Sequence, residues 1–588
     1  MNVKLTRTVI SVAGILLVAV AAVLLFIPSS RESVGDEDGL TAEVAARGGD
    51  SAVVSSHELA TQAGADVLEA GGSAADAAVA VASALSIVEP WFSSVLGGGT
   101  WALYYDAESG EITSMDGVGP AGSKASASDF AERAGDSGMH QAVVPGAWDG
   151  WMLWLEEYGR LELEDILSPA IDLAEEGFPA SPGLINWLGI DGVNSDEDAF
   201  AYSAELYEGV EAEGDTVYQR SQARTLRDIL SAWDDARSNG RTEAIQAVRD
   251  YVYRGPVAEA IVDFSDEHGG YLTLDDFHSF EAQLVDPISI DYNGIEVLQN
   301  PPNSQGITQL MLLNILKDYD FNDMELDSAD AVHLQVEATK LAFADRYYHV
   351  GDPDFVDVPV ETLLSDEHAA RRRESISMDS VLEWPIDDVL SEDAGDRAAA
   401  HTTTFHVVDE DGNAASVTTS LGAQYLVAGE TGIHMNNRMR MIAVDEGDPN
   451  RLEPGKKVRH TSNPYIAMAD GKPYILGGNT GVDTQPQGQA QQFLAVVEFG
   501  ADPQEAVSRK RFISRGFPAT SYPYSVEGDV QFEGGFDESV KEALSERGHR
   551  VSEGGVVGSA NMLVIDPETG EISAGADPRD GVAGSVIR

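Results

Sequence analysis

The sequence predicts an α+β protein with a mixed-sheet core and helices on its faces. Three observations lead there. Apolar residues recur at helical spacing over residues 55–88, the middle from about 146 to 343 is mainly helical, and strand signals dominate after residue 402. The 588 residues are 43% hydrophobic, enough for a large core and too apolar for a disordered chain.

In chain order, Lys4 and Arg7 precede an uncharged apolar run over 9–27 that ends at Pro28. The run is long enough to span a bilayer, and its flanking charges put the body of the chain outside. An N-terminal transmembrane helix within residues 1–28 is therefore expected, serving as a membrane anchor. A cleaved signal peptide, which would leave the chain secreted, is the rival; its apolar region is usually shorter. Residues 29–50 read as a linker. Within 55–88, Gly71-Gly72 separates two helices. A strand pair at 101–105 and 111–115 follows, and strand character returns at 288–298. Residues 387–400 are acidic and rich in small residues, like a mobile tail. Later strands are expected at 464–469, 473–477, 562–565 and 571–574, and helices at 485–499 and 538–547.

The net charge is -62, from 99 acidic and 37 basic residues. Phosphate would be repelled, which excludes a nucleic-acid partner. A solvated acidic surface suited to high salt is the better reading, and a halophilic source is the expectation. There is no cysteine, so disulfides, thiolate nucleophiles and Cys-ligated zinc are excluded.

The most specific local signal lies at 402–420. Alternation places Thr402, Thr404, His406 and Val408 on one face of a strand, and Thr403, Phe405 and Val407 on the other. Asp411-Gly412 marks a tight turn, and the return strand 414–420 brings Ser420 opposite Thr402 or its neighbour. A threonine hydroxyl becomes a nucleophile only with a base in reach. Cutting the bond between His401 and Thr402 would create an α-amine of pKa about 7.7–8.0 on the same residue. The glycine-rich stretch 476–483 can bring backbone N–H groups to an oxyanion. Threonine-rich strands also arise from packing alone, so the hairpin by itself favours the structural reading.

Longer-range motifs change that balance. Residues 71–80 (Gly-Gly-Ser-Ala-Ala-Asp-Ala-Ala-Val-Ala), 96–99 (Leu-Gly-Gly-Gly) and 144–150 (Val-Pro-Gly-Ala-Trp-Asp-Gly) come first. Then come 301–306 (Pro-Pro-Asn-Ser-Gln-Gly), 337–346 (Glu-Ala-Thr-Lys-Leu-Ala-Phe-Ala-Asp-Arg) and 351–355 (Gly-Asp-Pro-Asp-Phe). The Thr402 block, 429–433 and Asn436-Asn437 complete the series. With these in order, the chain resembles the γ-glutamyltransferase (γ-glutamyltranspeptidase) family from about residue 50 to the end. The resemblance implies a four-layer αββα sandwich of the N-terminal-nucleophile hydrolase type. It implies a precursor that cuts itself between His401 and Thr402 into associated large (51–401) and small (402–588) subunit regions. Thr402 would be the nucleophile, Ser420 the hydroxyl that positions it, and Gly481 and Val482 the oxyanion donors. The implied reaction cleaves γ-glutamyl amides of the glutathione type through an acyl-threonine, passing the acyl group to water or an amine, with no cofactor and no metal.

The pocket for the substrate's amino-acid end departs from the family. Segment 116–121 lacks the family's arginine for the α-carboxylate. Met441 stands for the aspartate that meets the α-ammonium, Gly422 for an asparagine, Arg438 for a glutamine, and His460-Thr461 for a serine pair. The lid segment is reduced to 443–457. Gly422, Arg438, His460 and Thr461 are thus the expected substrate-binding residues. Arg438 or Arg440 can pair a carboxylate bidentately, which points to an acyl donor with a carboxylate but no α-amine. The alternative is that both arginines are surface residues. Two competing functions stand beside the lead: an acylase or amidase of the same fold on a non-glutamyl or larger donor, and an inactive surface-binding protein.

Other patterns are read structurally. Residues 117–122 satisfy a dinucleotide pattern, but Pro120 interrupts it and a turn is expected. His401, His406, His434 and His460 lack zinc-ligand spacing and read as hydrogen-bonded histidines. Asp275-Asp276 and Asp387-Asp388 read as solvated surface or caps, and Trp148, Trp151 and Trp154 as core.

Overall fold

The computed structural model describes residues 46–588 except 134, 191–197, 389, 391–401, 423–424, 523 and 556. The expected anchor over 9–27, most of the linker, and His401 lie outside the described residues. Among the described residues no helix is long and apolar enough to cross a membrane.

Two seven-stranded sheets form the centre. The first runs, edge to edge, through Gly584–Ile587, Ala52–Ser55, Thr403–Val408, Ala414–Ser420, Gly99–Tyr105, Ile112–Gly117 and Gln283–Val285. The second runs through Ala46–Arg47, Ile572–Ala576, Ala560–Ile565, Lys472–Asn479, Tyr465–Ala469, Ile295–Gln299 and Ile288–Tyr292. The expected mixed sheet is corrected here. Every pairing within these two sheets is antiparallel, and a parallel pair occurs in a small third sheet, between Asp529–Glu533 and Arg550–Gly554.

Side-chain clusters define the layers. Val54, Leu103, Val408, Ile466, Leu476 and Leu563 meet between the two sheets. On the outer side of the first sheet, Phe405, Val407 and Val417 pack with helices Ala74–Val88 and Ala147–Glu157. On the outer side of the second, Val297, Tyr465 and Ile475 pack with helices Gly306–Leu316, Ala329–His349 and Thr484–Val497. This is an αββα sandwich. Helix Ala74–Val88 is buried on all sides, which its alanine-rich sequence allows, and Ser73 with Asp76 closes its start as a capping box. Trp148, Trp151 and Trp154 are fully buried core residues.

The hairpin has the register Thr403↔Thr419 through Val408↔Ala414, which resolves the one-residue ambiguity in favour of Ser420 beside Thr402. Both faces of strand Thr403–Val408 are buried, because helices cover one and the second sheet covers the other. The polar residues at 404 and 406 therefore need partners. Thr404 Oγ1 donates to Val417 O, and His406 Nε2 donates to Asn561 O across the sandwich, 2.9 Å. Burial pushes the His406 imidazole down to about 3, so it is neutral. Of the acidic pairs, Asp276 caps the helix Leu274–Ser279, while Asp388 accepts from His349 Nε2 and is not solvated surface.

Candidate active site

Thr402 begins the hairpin at the edge of the inter-sheet layer and is fully buried. Its neighbour Thr403 points the other way and donates to Glu89 Oε2, 3.1 Å, so the strand start is pinned from the helical side. Thr402 Oγ1 lies 3.0 Å from Ser420 Oγ, and Arg438 Nη1 donates to the same serine oxygen, 2.7 Å.

The second neighbour of Thr402 was not foreseen. Gln485, in the first turn of helix Thr484–Val497, places its side-chain amide 3.0 Å from Thr402 Oγ1. Its surroundings fix the orientation, because the opposite one sets oxygen against acceptors and nitrogen against donors. The nitrogen donates to Thr461 O and Asn463 Oδ1, both 2.6 Å, and the oxygen accepts from Val482 N, 3.2 Å, and from the Thr402 hydroxyl. A single donor direction then runs Arg438, Ser420, Thr402, Gln485.

Gly481 and Val482 both have positive φ, +93° and +58°. For a β-branched residue that conformation is strained, and the surroundings hold it. Gln305 Nε2 donates to Val482 O, 2.7 Å, and to Thr461 O, 3.1 Å. Arg346 Nη1 in turn donates to Gln305 Oε1, 2.7 Å, and pairs with Asp483. Burial lowers Arg346 to about 10, against the opposing pull of Asp483, so it stays a cation. The segments 301–306 and 337–346 thus converge on the 481–483 loop from two helices away.

The recognition end is rearranged as a unit. Gly422 has φ +92°, and a Cβ there would run into Asn437 Oδ1 and the Arg438 guanidinium. Asn437 and, behind it, the Arg438 guanidinium fill the volume that a side chain at 422 would need. Positions 422, 437 and 438 are therefore packed against one another. Arg438 is fully buried, which overturns the surface reading for it, whereas Arg440 is half-buried. Burial, and then the Arg440 charge, lower the Arg438 guanidinium to about 9. Arg438 Nη2 donates to Asn437 Oδ1, 3.0 Å, and Nη1 approaches Met441 Sδ, 3.7 Å. Met441 and Val482 pack together as a small apolar cluster. Thr461 Oγ1 also approaches Met441 Sδ, 3.7 Å.

His460 is buried and held well below its usual range by desolvation, then by the Arg438 and Lys457 charges, so it is neutral. Its Nδ1 accepts from Ser462 N, 3.2 Å, which leaves the proton on Nε2, and that N–H has no partner among the described residues. Lys457 pairs with Asp116, in the segment that lacks the family's arginine. Of the other histidines, His434 hydrogen-bonds Tyr207 through Nε2, 2.8 Å. The group among the described residues that could converge on a metal is a different one, His333, Glu337 and His549, and there the Lys340 ammonium already sits 2.7 Å from Glu337 Oε1.

The Thr402–Ser420 pair, the strained 481–482 turn and the motifs behind it match one set of relatives. A family model described as Gamma-glutamyltranspeptidase matches residues 60–587. The chain belongs to the gamma-glutamyltranspeptidase family. Within that family it is 34% identical over 548 residues to the Glutathione hydrolase-like YwrD proenzyme of Bacillus subtilis (strain 168), covering 90% of this chain and 97% of that one. It is 31% identical over 536 residues to the Acylase ACY 1 proenzyme of Pseudomonas sp. (strain SE83), covering 88% and 90%. The crystal structure of cephalosporin acylase from Bacillus halodurans superposes with a TM-score of 0.81 at 31% identity, covering 96% of this chain and 99% of that chain.

Gln305, Arg346 and Asp483 lie inside the motif segments, so the family resemblance contained them without assigning a task. Gln485 follows Val482 by three residues at a helix start, the spacing of a side chain that reaches back to cap a backbone N–H. That spacing was the available signal for it.

Proposed function

We propose that the protein is a self-processing γ-glutamyltransferase-like enzyme that cleaves γ-glutamyl amides of the glutathione type through an acyl-Thr402 intermediate. The observation that carries this is the Thr402 hydroxyl at a strand start, in contact with Ser420 Oγ and facing the 481–482 turn through Gln485. In self-processing, Thr402 Oγ1 attacks the His401 carbonyl carbon, the His401–Thr402 C–N bond breaks as an ester forms, and water opens the ester. The freed α-amine then takes the Oγ1 proton as the oxygen attacks the donor carbonyl. Backbone N–H groups of Gly481 and Val482 hold the oxyanion. The amide nitrogen leaves with the proton, and water or an amine takes the acyl group from Thr402.

A second reading concerns the donor, and a specific arrangement favours it. Arg438 and the His460 Nε2–H offer positive and donor character where a thioether, Met441, replaces the acid for an α-ammonium. Such a pocket suits an acyl group with a terminal carboxylate and no α-amine, because an ammonium beside Arg438 would be buried without an anion. The relatives named acylases agree with it. Parallel rates on γ-glutamyl- and glutaryl-p-nitroanilide test both readings. Faster γ-glutamyl turnover supports the first and removes the second, and the reverse ratio does the opposite. Mass spectrometry of the quenched enzyme should find the acyl group on Thr402; an acyl group elsewhere removes the mechanism. The apolar run over 9–27 is proposed as an anchor holding this body outside the membrane, and extraction by detergent but not by salt would support it.

A further inference from the structure

The position of Gln485 carries a consequence for how the donor enters. A donor carbonyl must set its oxygen on the oxyanion donor while its carbon lies about 3 Å from the nucleophile, which brings the oxygen close to both. Gln485 Oε1 meets that condition, 3.0 Å from Thr402 Oγ1 and 3.2 Å from Val482 N. It is itself a carbonyl oxygen. We infer that Gln485 is a positioning residue whose side-chain carbonyl stands in the place of the donor's scissile carbonyl oxygen, and that donor binding exchanges one for the other. The inference rests on the acyl-threonine reading and adds to it a resident competitor.

The amide is held firmly there. It is fully buried, and its nitrogen is used twice, on Thr461 O and Asn463 Oδ1. Asn463 is itself fixed, since its Nδ2 donates to Gln489 Oε1, 2.8 Å, and its carbonyl accepts from Gln489 Nε2, 2.7 Å. Val482 has a single N–H, and Gln485 Oε1 accepts it. The same oxygen accepts the hydrogen bond of the Thr402 hydroxyl, and an amide oxygen is far too weak a base to remove the proton. In this arrangement the hydroxyl is oriented, and its hydrogen bond points to Gln485. A donor carbonyl that displaces Gln485 Oε1 inherits the Val482 N–H and leaves the hydroxyl proton to the α-amine. The bland alternative is a side chain that only caps the start of its helix, through Val482 N.

The test compares mature wild type with Q485A and Q485E, using the anilide that wild type turns over and its free acid as competitive inhibitor. Q485A removes the competitor, so the inhibition constant of the free acid should fall about fivefold, the scale of one net hydrogen bond. An unchanged or raised constant overturns the inference and leaves a helix cap. Q485E sets a carboxylate against the developing oxyanion. Its kcat/KM should fall about a hundredfold below wild type at pH 8, and the ratio to wild type should recover as the pH drops and the carboxyl takes a proton. A Q485E profile parallel to wild type overturns it as well. Should Q485A fail to split, binding of the free acid to T402A and T402A/Q485A, both uncut, decides in the same way. Failure of the underlying reading looks different: T402A would then split or turn over, whatever Gln485 does.

Discussion

At the reacting end of the site, Thr402, Ser420 and the 481–482 turn are held by backbone register and by residues from three distant segments. Beside it, Arg438 meets Met441 and donates to Asn437 and Ser420, while His460 accepts from Ser462 N. The first set cannot change without disturbing the sandwich, since Thr403 is tied to Glu89 and Val482 to Gln305 and Arg346. In the second set the packing is local, and a side chain added at Gly422 would meet Asn437 first and the Arg438 guanidinium next. The difference teaches why chemistry and donor choice can diverge within one family.

Five variants would break or sharpen that comparison. The largest effect is expected at the reacting end: Thr402→Ala should abolish both splitting and turnover, at least about a thousandfold, because nucleophile and base share that residue. Gels and anilide assays read this directly. Next, Gly422→Asn forces a side chain into Asn437 and the Arg438 guanidinium and should cost about 2 kcal/mol or more in stability, read as a lowered Tm. Adding Arg438→Gln should recover the part of that loss owed to the guanidinium, while the contact with Asn437 and the positive φ at 422 remain. Failure of the double variant to recover would show that the two positions are independent.

A smaller effect is expected at Ser420. Ser420→Ala removes one hydroxyl contact to Thr402 and should lower kcat about tenfold while KM moves less. The smallest is a pH effect on stability. His434 is buried beside Tyr207, and burial holds it down to about 3. The unfolded chain takes its proton near 6.5, so the stabilisation is complete above that value and is lost as the pH falls toward about 3, by up to about 1.4 kcal/mol per pH unit. His434→Asn should flatten the decline of Tm between pH 6.5 and 5. Measurement in concentrated KCl is needed, because a chain of net charge -62 also loses self-repulsion on acidification. A Tm that rises steeply with KCl at pH 7 would support the halophilic reading.

Much of the fold was legible. The return strand 414–420, the pair at 288–292 and 295–299, and helices 484–497 and 538–546 fall within a few residues of their expected places, because alternation and helical spacing are local. Strand direction was not local, and the mixed sheet expected from the residues is antiparallel. Strand Ala52–Ser55, between Thr403–Val408 and the C-terminal strand Gly584–Ile587, escaped because four buried residues carry no alternation. In the site, Thr402, Ser420 and the 481–482 turn were named from motif position. The burial of Arg438 and the contact of Gln485 were not, since both depend on what the chain packs against. His401, one half of the expected cleavage site, lies outside the described residues.

The central claim is that scission ahead of Thr402 makes the catalyst. Amino-terminal sequencing of the smaller fragment from active protein tests it most directly. The account predicts a sequence starting Thr-Thr-Thr-Phe-His, from Thr402 onward. A fully active chain that remains in one piece, or a small fragment starting at another residue, would contradict it.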